Sequence, residues 1–165
     1  MTTIKKDEYV FLVDVERTKQ YYKTHSLCEC ECCRNYYAQI RKKYPKLTDF
    51  LEEFGVDVAR PDEVMSVEET HFIDYIDVDY TVCGKVETLG NYEIDINDNT
   101  FLSMLITEGF ATPNEQKGEY FTISVMNIKL PWVLDEPFPK PITQKLPTKK
   151  TLLSWLSKWF KNKKA

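Results

Sequence analysis

An alternation of apolar and polar residues in the second half of the chain sets the narrowest limit on its fold. Every second residue from Ile76 to Val82 is apolar. This period of two is typical of a strand with one face toward water, and Gly84 is expected to end it. Further strands of this kind follow at residues 92–96, 101–107 and 120–130. Turn-forming residues such as Asn97 and Asp98 separate the strands, so the pattern predicts an antiparallel meander or a pair of hairpins.

The first half of the chain combines one strand with two helices. Residues 9–15 alternate like a strand, and residues 34–44 are predicted to form a helix that Pro45 ends. Residues 47–54 carry apolar side chains at i, i+3, i+4 and i+7, which predicts a second, buried helix with Gly55 as its C-terminal cap. The predicted class is therefore α+β, with a short helix pair covering a largely antiparallel sheet and a further amphipathic helix at the C-terminus.

The distribution of charge and proline divides the chain into three parts. All 26 acidic residues but only 14 of the 22 basic ones occur up to Glu136, which gives that part a net charge of −12. Residues 1–135 are predicted to form a single α+β domain, residues 136–150 a proline-rich linker, and residues 151–165 a basic amphipathic helix. A body this acidic is expected to repel nucleic acid.

The predicted C-terminal helix has an apolar face that is too large to remain exposed to water. Its large side chains are Leu152, Leu153, Trp155, Leu156, Trp159 and Phe160. We expect this face to dock on the acidic body or on a second copy, which would make a homodimer. The alternative is that the helix lies on an anionic membrane surface, since tryptophans beside lysines are typical of interfacial helices.

The expected location is the cytoplasm. The apolar run that begins at Tyr9 is shorter than the core of a signal peptide, and no stretch is long enough to span a membrane. The five cysteines are an odd number, and four of them lie within six residues, which argues against a disulfide framework.

The cysteine cluster is the most unusual local feature. Thiolates at the spacing Cys28-x-Cys30-x-x-Cys33 can close on one zinc ion, with His25 as the candidate fourth ligand. Two alternatives stand beside this hypothesis. The thiols can be inert and buried at a junction between elements, or the pair Cys30 and Cys33 can be a redox-active C-x-x-C motif.

A resemblance starts from the same motif. The run from Cys28 to Tyr37, with arginine, asparagine and two tyrosines after Cys33, is followed by Tyr44-Pro45 and by Phe54-Gly55. These residues resemble an uncharacterised bacterial protein family of low-GC Gram-positive genomes. The resemblance implies a cytoplasmic bacterial domain, has no known function attached to it, and marks Cys32 as extra to the pattern.

No catalytic constellation stands out. The chain has two histidines, and it lacks a nucleophile elbow, a zinc-protease motif and a glycine-rich phosphate loop. We therefore predict a non-enzymatic intracellular binding or interaction protein with a structural zinc site, whose partner is another protein or a second copy. The alternatives are a thiol- or metal-dependent enzyme and a peripheral membrane-surface protein.

Overall fold

The computed structural model describes residues 1–98, 101–108 and 118–139. The predicted C-terminal helix at 151–165 and most of the predicted linker lie outside these residues. The elements of the described part are β1 (Thr2–Lys6), β2 (Tyr9–Val13), α1 (Val15–Thr24), α2 (Glu31–Tyr37), α3 (Ile40–Lys43), α4 (Pro45–Glu53), β3 (Glu63–Glu68), β4 (Phe72–Thr88), β5 (Ile94–Asn97), β6 (Phe101–Glu108), β7 (Tyr120–Met126) and β8 (Ile128–Pro131).

The strands of the described residues form one antiparallel sheet, which confirms the predicted α+β class. The main order is β1-β2-β4-β7-β6-β5, and β3 and β8 also pair with β4. β5, β6 and β7 form a meander, which is one of the two predicted arrangements. The single strand predicted for residues 120–130 is two strands, β7 and β8, which separate at Asn127 with φ of 70°. β1 and β3 were not predicted, because the first is largely polar and the second alternates between half-buried and exposed side chains.

β4 is the central strand of the sheet, because four other strands pair with it. Its 17 residues pair with β3 and β8 near the start, with β7 in the middle and with β2 at the end. The prediction that Gly84 ends this strand is wrong. Gly84 lies inside it with φ of 145°, where its missing side chain lets β2 approach closely.

The prediction that Ile76 lies on the buried face of this strand is also wrong. Its side chain is 41% exposed, although the alternation placed it on the apolar face. The cause is an irregular register between β3 and β4, in which Met65 pairs with Asp77 and Ser66 pairs with Tyr75. Ile76 is the extra residue on β4, and such a bulge reverses the faces of the residues that follow it.

The helical layer differs from the predicted pair. α1 was not predicted, because its sequence is mostly polar, and it begins where the Asp14 carboxylate accepts the backbone N–H of Arg17 at 3.1 Å. The single helix predicted for residues 34–44 is two helices, α2 and α3. They separate at buried Gln39, whose φ of −141° is not helical and whose amide donates to the Pro131 carbonyl at 2.7 Å.

The prediction for residues 47–54 is confirmed. The four apolar side chains of this segment are buried, and Gly55 follows the helix with φ of 79°. The N–H groups of Gly55 and Val56 donate to the carbonyls of Glu52 and Leu51, which is the glycine-dependent Schellman ending. At the other end, the Asp98 carboxylate accepts the backbone N–H groups of Lys46 and Leu47, so the residue that follows β5 caps this helix.

The core between helices and sheet is rich in tyrosine. Tyr36, Tyr44, Tyr75 and Tyr80 are almost completely buried, and each hydroxyl has a hydrogen-bond partner. The Tyr36 and Tyr80 hydroxyls are 2.5 Å apart, and Tyr80 also donates to the Val58 carbonyl at 2.9 Å. These bonds satisfy polar groups that would otherwise be costly to bury.

The buried tyrosines predict loss of stability at alkaline pH. Burial raises the pKa of Tyr36, Tyr75 and Tyr80 above the ordinary value of about 10. The folded state therefore holds these phenolic protons more tightly than the unfolded state, and stability falls as pH rises above about 10. Denaturant unfolding followed by circular dichroism between about pH 8 and about pH 12 should show this fall together with a late rise in tyrosinate absorbance. A free energy of unfolding that stays constant while all tyrosines ionise would contradict the expectation.

Candidate metal centre

Three cysteine thiols converge at the connection between α1 and α2. The sulfur atoms of Cys28, Cys30 and Cys33 all lie within 4.8 Å of one another. Cys28 and Cys30 are exposed, whereas Cys33, which belongs to α2, is buried. The chain thus places three thiols close enough to hold a metal ion, and it presents two of them to solvent.

The local backbone explains why these sulfurs meet. Cys30 directly precedes α2, and its Sγ accepts the backbone N–H of Cys33 at 3.4 Å. The backbone N–H of Cys30 lies 3.5 Å from Cys28 Sγ in turn. A spacing of three residues at a helix start returns the chain to the same side after about one turn, which brings Cys33 beside Cys30.

The thiols differ in their readiness to ionise. The pKa of Cys28 is lowered, because the backbone N–H and then the side chain of Cys30 stabilise the thiolate. The pKa of Cys33 is raised, first by burial and then by its interaction with Cys30. Cys28 is therefore the thiol that the fold prepares best as a first anionic ligand.

The sulfur spacing suits one thiophilic cation. Zinc binds thiolates at about 2.3 Å, so two sulfurs on a tetrahedral zinc are about 3.8 Å apart. Sulfurs within 4.8 Å need to approach by only about 1 Å, which exposed side chains such as Cys28 and Cys30 can do by small rotations. Soft and borderline ions are favoured over calcium or magnesium, because the donors are sulfur atoms.

His25, the fourth ligand of the zinc hypothesis, makes other contacts. Its Nε2 lies 3.2 Å from the Pro61 carbonyl oxygen, and its Nδ1 lies 3.3 Å from the Tyr21 hydroxyl. The same Nδ1 is 3.8 Å from a carboxylate oxygen of Asp62. The structure therefore brings the three cysteines together and places both ring nitrogens of His25 against the segment before β3.

The other two cysteines point elsewhere. Cys32 lies on the next face of α2, where its Sγ is 3.9 Å from a carboxylate oxygen of Glu68. Cys83 is buried in β4, and its backbone N–H donates to Thr18 Oγ1 at 3.0 Å. Burial raises the pKa of both thiols. Neither belongs to the three-sulfur group.

Asp62 is a buried charged residue that the sequence analysis missed. Its carboxylate accepts the Tyr21 hydroxyl and also accepts the backbone N–H of Thr81 at 2.6 Å. Tyr22 lies at 3.4 Å from the same carboxylate. Asp62 ties α1 to β4, and its segment has no periodic pattern from which this role could be found.

Within the described residues, no helix combines the length and the apolar character that crossing a bilayer requires. The chain was also compared with known proteins, and no family model, curated protein or solved structure matches it.

Proposed function

We propose that this chain is a non-enzymatic, zinc-binding interaction protein in which Cys28, Cys30 and Cys33 hold the ion. One observation carries the proposal: three thiol sulfurs lie within 4.8 Å of one another beside a helix start. A zinc ion there would cross-link the connection between α1 and α2, a stretch with few regular hydrogen bonds of its own. Its role would be structural.

The fourth coordination position separates two versions of the site. His25 fills it only if one ring nitrogen leaves its present partner, which is the Pro61 carbonyl for Nε2 and the Tyr21 hydroxyl for Nδ1. Otherwise a water molecule or a partner's side chain completes the tetrahedron. The odd number of cysteines and the crowding of four of them into residues 28–33 favour a reducing compartment, so we propose the cytoplasm as the location.

The test is zinc content and thermal stability of the purified full chain. The expected result is about one zinc ion per chain and a melting temperature that falls on chelation, because metal bound only to the folded state stabilises it. Cys30→Ser and Cys33→Ser should both lose the ion. Cys32→Ser is the matched control, since it removes a neighbouring thiol outside the cluster. His25→Ala tests whether His25 is the fourth zinc ligand, because zinc binding should then weaken.

Two results would contradict the zinc proposal. The first is full-length protein that stays metal-free after growth with zinc and does not bind added zinc. The second is loss of zinc in Cys32→Ser to the same degree as in Cys30→Ser, which would mean that the ion is bound nonspecifically by exposed thiols.

Dithiol redox chemistry is the second candidate, favoured by the contrast between exposed Cys30 and buried Cys33. In such a reaction the Cys30 thiolate attacks a disulfide substrate, forms a mixed disulfide with one of its sulfurs and releases the other as a thiol. Cys33 then attacks the Cys30 sulfur of the mixed disulfide and releases the first substrate sulfur as a second thiol. The two cysteines end as a disulfide and the substrate as two thiols. Rapid reduction of a small disulfide by metal-free protein, lost in Cys30→Ser, would favour this function over zinc binding.

The partner that we propose is another protein or a second copy of the chain, reached through residues 151–165. Support comes from the sequence pattern of that segment and from the charge of −12 before it. Nucleic acid is disfavoured as a partner by the same charge.

A further inference from the structure

A cleft of about 620 Å³ lies on the helical side of the molecule, away from the cysteines. Residues of α1, α3 and the segment after α4 line it, and Gly55 lies in its wall. A Cβ on Gly55 would be 2.5 Å from the Val15 carbonyl oxygen, so this glycine allows the start of α1 to lie close to the end of α4. The wall of the cleft at Gly55 is therefore fixed by the packing of α1 against the end of α4.

The charge of the cleft is opposite to that of the body around it. Its cationic side chains are Lys19, Lys23, Arg41 and Arg60, and its only anionic ones are Glu52 and Asp57. The lining thus carries a net charge of +2 in a region of the sequence whose net charge is −12. A concave surface of one sign concentrates ligands of the opposite sign.

Two of the four cations, Lys23 and Arg60, have no carboxylate partner among the described residues. Arg41 pairs with Asp57, and Lys19 lies 2.9 Å from Glu16. Lys23 is exposed and has no acceptor among the residues that the structure describes. The Arg60 guanidinium lines the cleft and donates from one of its nitrogens to the His25 carbonyl, which leaves it further N–H donors.

The floor of the cleft is apolar. Tyr22, Val56 and Val58 line it and are themselves almost fully buried. The Tyr22 hydroxyl is turned away into the core, where it donates to the Thr81 carbonyl at 2.9 Å. Apolar walls with a few convergent polar groups are typical of small-molecule sites.

We propose that this cleft binds a small organic phosphate, with the phosphate between Lys23 and Arg60 and the organic part in the remaining volume of the cleft. A phosphate monoester carries a charge close to −2 at neutral pH, which matches the lining, and a guanidinium beside an ammonium is a common phosphate-binding pair. The site is separate from the cysteine cluster and does not depend on the proposed zinc.

The test is a calorimetric titration of the full chain with phenyl phosphate at low ionic strength. We expect saturable binding near one equivalent, with phenol giving none because it lacks the anion. Lys23→Gln should weaken binding about tenfold, as expected for loss of one charge-assisted hydrogen bond. Its side chain is exposed, so the variant should fold. Lys5→Gln on β1 makes the same change of charge outside the cleft and should bind like the unchanged protein.

Three results would overturn the proposal. These are no saturable binding of phenyl phosphate, equal weakening in Lys5→Gln and Lys23→Gln, or unchanged binding in Lys23→Gln. Equal weakening would show that the overall charge, and not the cleft, attracts the anion. Arg60→Gln provides a second check, because it should weaken phenyl phosphate binding as Lys23→Gln does.

Discussion

Replacing Gly84 with alanine is expected to lower the free energy of unfolding by at least about 4 kcal/mol, enough to unfold a domain of ordinary stability. The added Cβ would overlap the Leu12 carbonyl oxygen and lie 3.0 Å from the Val13 Cα. Both atoms belong to the backbone of β2, so no side-chain rotation relieves the clash. The φ of 145° adds strain for any residue with a Cβ. Urea unfolding followed by circular dichroism measures the effect.

Thr88→Ala is the control for this variant. Thr88 is exposed at the far end of the same strand and pairs with the same partner strand. Its replacement should change stability by no more than about 0.5 kcal/mol. If Gly84→Ala unfolds at the same urea concentration as Thr88→Ala, the close approach of β2 to β4 is wrong.

Phe54→Ala is expected to cost about 3–5 kcal/mol, which is the range for removing a fully buried phenylalanine. The Phe54 ring is completely buried at the end of α4. It meets the Phe11 ring edge to face with centroids 5.3 Å apart, and it contacts Phe121 of β7 at 6.4 Å. The ring thus joins the helical layer to two strands, and its loss would leave a cavity between them.

Phe101→Ala is the matched control, because this phenylalanine is 60% exposed on β6. We expect a change within about 0.5 kcal/mol. Urea midpoints of the two variants and the unchanged protein give the comparison. A cost for Phe54→Ala below about 1 kcal/mol would mean that the ring is not part of the core.

The helices and strands in which apolar side chains recur at a regular spacing on one face could be predicted from the sequence. α4 shows this best, since its four apolar positions and its glycine cap all agree with one another. α1 could not be found in the same way, because only Thr18, Tyr21 and Tyr22 of its ten residues are buried. Ile76 was misplaced because one extra residue on β4 reverses the alternation, and the signal for the bulge lies in the pairing with β3.

Of the candidate sites, only the one formed by residues close together in the sequence could be predicted. The three cysteines were predictable because their contacts are local in sequence and depend on the start of one helix. The surroundings of His25 were not, since Pro61 and Asp62 reach it from a segment 36 residues further along the chain. The basic cleft was also missed, because its cations are scattered from Lys19 to Arg60 and meet only after the helices have packed.

The central position of β4 has a consequence for the order in which the chain can fold. Its two ends pair with residues as early as Val10 and as late as Pro131, so the sheet cannot be completed until nearly the whole described chain is present. Bringing such distant segments together carries a large loop-closure entropy before any pairing compensates for it. Proteins dominated by contacts of this kind fold more slowly than helical proteins of similar size. During synthesis β4 would leave the ribosome before β7 and β8, and its unpaired edge would stay open until they follow.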